Sequence, residues 1–138
     1  MADAPHIMIV ESRYYEEVAE ELITSVLSEL EEFGASYERF EVPGAFEIPT
    51  AIKFAIKSAE LGSIKKGYDG FIALGCVIRG QTSHYDYVCG ESARGLQDLA
   101  LKYSLALGYG ILTVENQEQA LARARRAEQD RGGHAERA

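Results

Sequence analysis

Thr82, Ser83 and His84 stand in consecutive positions, preceded by Gly80-Gln81 and followed by a helix-like stretch. Where a tight turn feeds a helix, unpaired backbone N–H groups and the positive end of the helix dipole coincide, and together they attract an anion. A histidine beside such a site can move a proton near neutral pH. An anion site and a proton carrier in one turn point to an enzyme acting on a phosphorylated small molecule. The same residues also read as an ordinary helix start, with Thr82 or Ser83 as N-cap and His84 and Asp86 in the first turn. Gly80-Gln81-Thr82 is no P-loop; what raises it is its place after the apolar run Phe71-Ile72-Ala73-Leu74, with a turn expected from Gly75 onward.

Three further segments carry chemistry-bearing side chains. In Ser12-Arg13-Tyr14-Tyr15 an exposed ring would suit stacking on a planar heterocycle, although packing between helix and loop is the commoner fate of such a tyrosine. Val42-Pro43-Gly44-Ala45-Phe46-Glu47-Ile48-Pro49 reads as a rigid loop leading into a helix. Glu47 there could accept hydrogen bonds from a polyol, or simply complement the helix dipole. Arg123, Arg125 and Arg126 fall on a last helix, where Arg123 and Arg126 share a face. Such arginines are most often solvated.

The elements that must position these groups alternate. An apolar run at 6–10 precedes a helix at 14–33, in which Val18, Leu22, Val26 and Leu30 recur every four residues opposite a glutamate-rich face. Gly34 ends it. A second strand at 36–42 and a helix at 48–61 follow, with Pro49 tolerable in the first turn. Then come a strand at 68–74, a helix at 85–107, a short strand at 108–113 and a helix at 117–128. This order predicts one α/β domain: a three-layer αβα sandwich on a four-stranded parallel sheet, flavodoxin-like, with right-handed crossovers. Ligands of such sheets bind beyond the carboxyl ends of the strands. Residues 11–15, 42–47, 75–84 and 113–117 should therefore converge on one edge.

Composition narrows the partners. A chain of 138 residues suits a single core, and a net charge of −8 argues against nucleic acid or an anionic membrane. Much of the acidity lies between Glu11 and Glu32, which span eight glutamates and a single arginine. Cys76 and Cys89 lack metal-site spacing and read as free thiols, so no metal is expected. No run of roughly 20 apolar residues and no signal-peptide pattern is present, and a cytoplasmic protein is expected.

Together the segments resemble the 6,7-dimethyl-8-ribityllumazine synthase family. The resemblance rests on Ser12-Arg13-Tyr14-Tyr15, on residues 42–49, on residues 75–88, and on Gly110-Ile111-Leu112-Thr113 followed by Glu118-Gln119-Ala120. It implies condensation of 5-amino-6-(D-ribitylamino)uracil with 3,4-dihydroxy-2-butanone 4-phosphate, the penultimate step of riboflavin biosynthesis, without a cofactor. By the same resemblance Tyr14 stacks on the pyrimidine. Ala45, Phe46 and Glu47 line the ribityl side, and Val77 and Ile78 contact the ring's far side. Gln81 and Thr82 hold phosphate with Arg123 from a neighbouring subunit, His84 carries protons, and Tyr109 closes the pocket from that neighbour.

The resemblance further implies a pentamer or multiples of it, small-molecule substrates, and riboflavin synthase as an associate. Arg131 stands where many members carry a lysine. The family's last helix is expected to be missing, since the sequence stops at Ala138, and few residues precede the first strand. A non-catalytic flavin- or lumazine-binding or shell-forming homologue is the alternative. A flavodoxin-type FMN or signalling domain is disfavoured, because the loop after the first strand lacks the glycine and hydroxyl residues of a phosphate loop.

Overall fold

The computed structural model describes residues 4–62 and 67–125. The first apolar run forms β1 (His6–Ser12), whose alternate side chains face opposite layers, as strand geometry requires: Ile9 one way, Met8 and Val10 the other. Helix α1 (Glu16–Phe33) buries Val18, Leu22 and Val26 and begins with Glu16 and Glu17 at the positive end of its dipole. Gly34 closes it at φ +69°, and the Ala35 N–H reaches back to the Leu30 carbonyl (3.0 Å). Strand β2 (Ser36–Val42) then pairs with β1 in parallel from His6↔Ser36 to Ser12↔Val42.

A single 3-10 turn over Ala45–Glu47 delivers the chain into α2 (Ile48–Glu60), with Pro49 in the first turn where no N–H is needed. Next come β3 (Gly70–Ile78), α3 (His84–Tyr103), β4 (Leu107–Val114) and α4 (Gln117–Ala124). Asn116 caps α4 by accepting the Gln119 N–H at 2.9 Å. The sheet order is β2-β1-β3-β4, all parallel. Helices α1 and α4 pack together on one face, over Ile9, Leu74 and Leu112. Helices α2 and α3 cover the other, over Val10, Ala73 and Ile111. The α2–α3 approach is tight at Gly95, where a Cβ would stand 3.0 Å from Pro49. The arrangement is the expected three-layer, flavodoxin-like sandwich. Among the described residues no helix is long and apolar enough to cross a membrane.

Three departures from the expected element boundaries bear on the site. Strand β3 runs four residues past Leu74, because Gly75, Cys76, Val77 and Ile78 pair with Ile111, Leu112, Thr113 and Val114 of β4. The turn therefore starts at Arg79 and not at Gly75. Helix α3 stops at Tyr103, where Ser104 adopts a left-handed φ of 54° and releases Leu107 into β4. Strand β1 extends through Glu11 to Ser12, paired on one side with Val42 at the carboxyl end of β2.

Candidate active site

The chain leaves β1 toward β2 on one side and reaches β3 on the other, so the sheet has its topological switch point between β1 and β3. Beyond their carboxyl ends a crevice must open, since the two crossovers depart in opposite directions. A cleft of about 320 Å³ lies there. It is lined by Ser12, Tyr14 and Tyr15 after β1 and by Pro43 to Glu47 after β2. Cys76, Val77 and Ile78 of β3 and His84 and Val88 of α3 complete it.

Of the expected site residues, Tyr14, Ala45, Phe46, Glu47, Val77, Ile78 and His84 meet in this cleft. Tyr14 is 75% exposed and touches Tyr15 edge-on at 4.9 Å between ring centroids. Its ring is thus not packed between helix and loop, and its face is open to a planar ligand. Phe46 is likewise exposed, whereas Ala45 and Val77 are buried and form an apolar wall. Glu47 sits at the start of α2, and Gly44 leaves it room: a Cβ on Gly44 would come 3.1 Å from Glu47 Oε1. Val77 and Ile78 reach the cleft through the part of β3 that periodicity alone leaves out.

The turn at 79–83 joins two lining residues, Ile78 and His84, without itself lining the cleft. Gln81, Thr82 and Ser83 are exposed. Thr82 Oγ1 accepts the His84 N–H at 3.3 Å, while Ser83, the N-cap of α3, makes no side-chain cap bond. Among the described residues the N–H groups of Gln81, Thr82 and Ser83 find no acceptor. Unpaired donors at the N-terminus of a twenty-residue helix are what an anion needs.

Four expected residues do not line this chain's own cleft: Gln81 and Thr82, which stand on the turn leading to His84, and Tyr109 and Arg123. Tyr109 stands within β4 opposite Ala73, with its pKa raised by partial burial. Arg123 lies on α4, its Nη1 donating to the Gln119 carbonyl at 3.0 Å. Helix α4 ends at Ala124, four residues short of expectation, and Arg125 is its extended C-cap and not part of it; Arg126 and Arg131 lie outside the described residues.

Several groups in the cleft carry no role in the sequence reading. Cys76 is buried at its edge, and burial pushes its thiol up to about 12, so it stays a neutral apolar wall. Burial also raises the Tyr15 phenol, with Cys76 and Tyr14 adding to the shift. Ser12, Pro43, Gly44 and Val88 complete the lining. The signal for Ser12, Pro43 and Gly44 is their place just after strand ends; for Cys76 and Val88 the sequence offers none.

Just outside the cleft, Glu11 is 3% exposed within β1. Its oxygens are held by Arg13 Nη1 (2.9 Å) and Arg39 Nε (2.8 Å). Arg13 also binds Glu16 and Glu20, and these carboxylates, Glu20 foremost, raise its pKa. The cluster braces the turn that presents Tyr14. A larger cavity of about 690 Å³ opens at the opposite edge of the sheet, lined by Ile7, Leu30, Phe33 and Phe71. Its Asp69 is already bonded to the His6 N–H at 2.8 Å, and it offers no histidine or cysteine. Among the described residues no group of three His, Cys, Asp or Glu side chains could hold a metal ion.

A sequence profile described as 6,7-dimethyl-8-ribityllumazine synthase matches residues 4–138. The chain is similar to 6,7-dimethyl-8-ribityllumazine synthase 1 of Rhizobium meliloti (strain 1021), 56% identical over 133 residues that cover 96% of this chain and 86% of the relative. It is also similar to 6,7-dimethyl-8-ribityllumazine synthase of Agrobacterium fabrum (strain C58), 53% identical over 134 residues, covering 97% and 89%.

Proposed function

We infer from one premise, that this chain belongs to the 6,7-dimethyl-8-ribityllumazine synthase family, that it is a working lumazine synthase. It condenses 5-amino-6-(D-ribitylamino)uracil with 3,4-dihydroxy-2-butanone 4-phosphate. The observation that carries the assignment of the site is the cleft at the switch point, where an open tyrosine ring, an apolar wall, a carboxylate and a histidine face one another beside a turn of unpaired N–H groups.

The chemistry asks little of the protein beyond placement. The pyrimidine lies on Tyr14 against Val77 and Ile78, and Glu47 accepts the ribityl hydroxyls beside Ala45 and Phe46. The butanone phosphate sits with its phosphate on Gln81 and Thr82. The uracil's 5-amino group attacks the ketone and water leaves, giving an imine; loss of a proton then expels phosphate. Tautomerisation and attack of the ribityl-bearing nitrogen on the remaining carbonyl, with loss of a second water, close the ring. His84 accepts and returns the protons. Holding two substrates in register converts a bimolecular encounter into an effectively unimolecular one, which suits a site without a covalent nucleophile.

Among the described residues, the cleft's own wall carries no guanidinium or ammonium group. Arg123 and Tyr109 complete it from an adjacent copy in a pentamer or a multiple of one, since sites shared between subunits close by cyclic symmetry. The enzyme works in the cytoplasm and passes its product to riboflavin synthase.

Mixing both substrates with the protein tests the reading. Phosphate release accompanied by lumazine formation is expected, and His84→Ala should slow turnover by about 10²-fold, the low end for loss of a positioned proton carrier. Tight flavin binding with no phosphate release would overturn the assignment in favour of a non-catalytic binder.

A further inference from the structure

We propose that Arg79 is a positioning residue for phosphate, holding the turn at 80–83 through Glu115, Asp86 and the ring of Tyr85; the proposal rests on the reading of that turn as the phosphate seat. Arg79 directly follows β3, and its backbone N–H donates to the Val114 carbonyl at 3.0 Å, fixing the entry to the turn. Its Nε donates to both carboxylate oxygens of Glu115, at 2.9 and 3.0 Å. Its Nη1 stands 3.6 Å from Asp86 Oδ1, and the guanidinium carbon lies 4.3 Å from the centre of the Tyr85 ring. Tyr85 and Asp86 belong to the first turn of α3, and Glu115 to the connection between β4 and α4. One guanidinium therefore ties the entry of the turn to its exit and anchors both to a neighbouring connection.

Among the described residues, no other side chain ties residue 79 to the start of α3. A Cβ on Gly80 would meet no atom within 4 Å, so packing does not fix its path. Among the described residues, the hydrogen bonds of residues 80–83 are that from the His84 N–H to Thr82 Oγ1 and those from the Asp86 and Tyr87 N–H groups to the Ser83 carbonyl, all of them to the start of α3. Two carboxylates already engage Arg79, so its charge is not free to serve as the phosphate's own partner. A lysine could not reproduce the arrangement, since it lacks the Nε donor and the planar face that lies over Tyr85.

The test compares Arg79→Met, Arg79→Lys, Glu115→Ala and the double variant Arg79→Met/Glu115→Ala. Steady-state kinetics reads KM for each substrate against kcat, and calorimetric titration reads the affinity for inorganic phosphate. Because the clamp is partly solvated, Arg79→Met should raise KM for the butanone phosphate by about fivefold and leave the pyrimidine KM unchanged. Arg79→Lys should fall between wild type and Arg79→Met, and phosphate affinity should drop in parallel. The double variant should be no worse than Arg79→Met alone, because both changes release one clamp. Additive losses, or a Glu115→Ala protein that binds phosphate as well as or better than wild type, would mean direct contact and overturn the proposal. So would an unchanged KM in Arg79→Met. A wild-type protein that binds phosphate without turnover would defeat the catalytic reading instead, and the titrations would still report on the clamp.

Discussion

Replacing Glu11 with alanine tests whether the charge cluster beneath the Tyr14 turn stabilises the fold. The carboxylate is 3% exposed and lies between Arg13 and Arg39 at 2.9 and 2.8 Å. Removing one member of a buried pair strands the other charge and costs about 3–5 kcal/mol. Two facts reduce that figure here. The Arg39 side chain is 40% exposed and can turn to water, and Arg13 keeps Glu16 and Glu20. A loss of about 2–3 kcal/mol is therefore expected, and with a urea m-value of about 2 kcal/mol/M the midpoint should fall by about 1.2 M. Unfolding followed by circular dichroism at fixed protein concentration measures it, since any association of subunits shifts the midpoint. Arg39→Met should cost under about 1 kcal/mol, as befits a half-solvated partner. A Glu11→Ala midpoint within about 0.3 M of wild type would refute the reasoning, because the carboxylate would then have to be solvated.

Gly44→Ala should act on substrate rather than on the fold. Gly44 has an extended backbone that any residue adopts, and the only cost is the 3.1 Å approach to Glu47 Oε1. Displacing that carboxylate should raise the pyrimidine KM by about threefold to tenfold with an unchanged melting temperature, and an unchanged KM would remove Glu47 from ribityl binding. At the other edge of the sheet, hydrogen bonds from His6 and then Tyr68 hold the Glu38 carboxyl below its ordinary value of 4.5. A depressed carboxylate stabilises the fold above its unfolded pKa and loses that contribution as pH falls through the folded one. Melting temperatures of wild type should therefore drop more steeply below pH about 4.5 than those of Tyr68→Phe, and parallel curves would contradict the linkage.

Much of the architecture is legible in the residue pattern, because four-residue spacing in α1 and the unbroken apolar run of β1 are direct consequences of burial. The converging strand ends follow from chain order alone, and they bring Tyr14, Glu47 and His84 to one crevice. What the pattern misses are features decided by partners. Gly75 looks like a turn residue, yet pairing with Ile111 keeps it in β3 and carries Val77 into the cleft wall. Ser104 bears no glycine-like mark, but its left-handed backbone ends α3 before Leu107. Glu11 reads as one more glutamate of an acidic stretch, and only the fold reveals the two arginines around it. Whether Tyr14 packs or stands open likewise depends on neighbours the sequence does not order, and its exposure decides for the open ring.

A crystal structure of the protein soaked with 5-nitro-6-(D-ribitylamino)uracil, an unreactive analogue of the pyrimidine, and inorganic phosphate would test the central claim most directly. The account predicts the pyrimidine ring stacked on Tyr14 against Val77 and Ile78, its ribityl chain on Glu47, and phosphate on the N–H groups of Gln81 and Thr82. Analogue bound instead in the cavity beside Phe33 and Phe71, or phosphate seated away from the turn before α3, would contradict it.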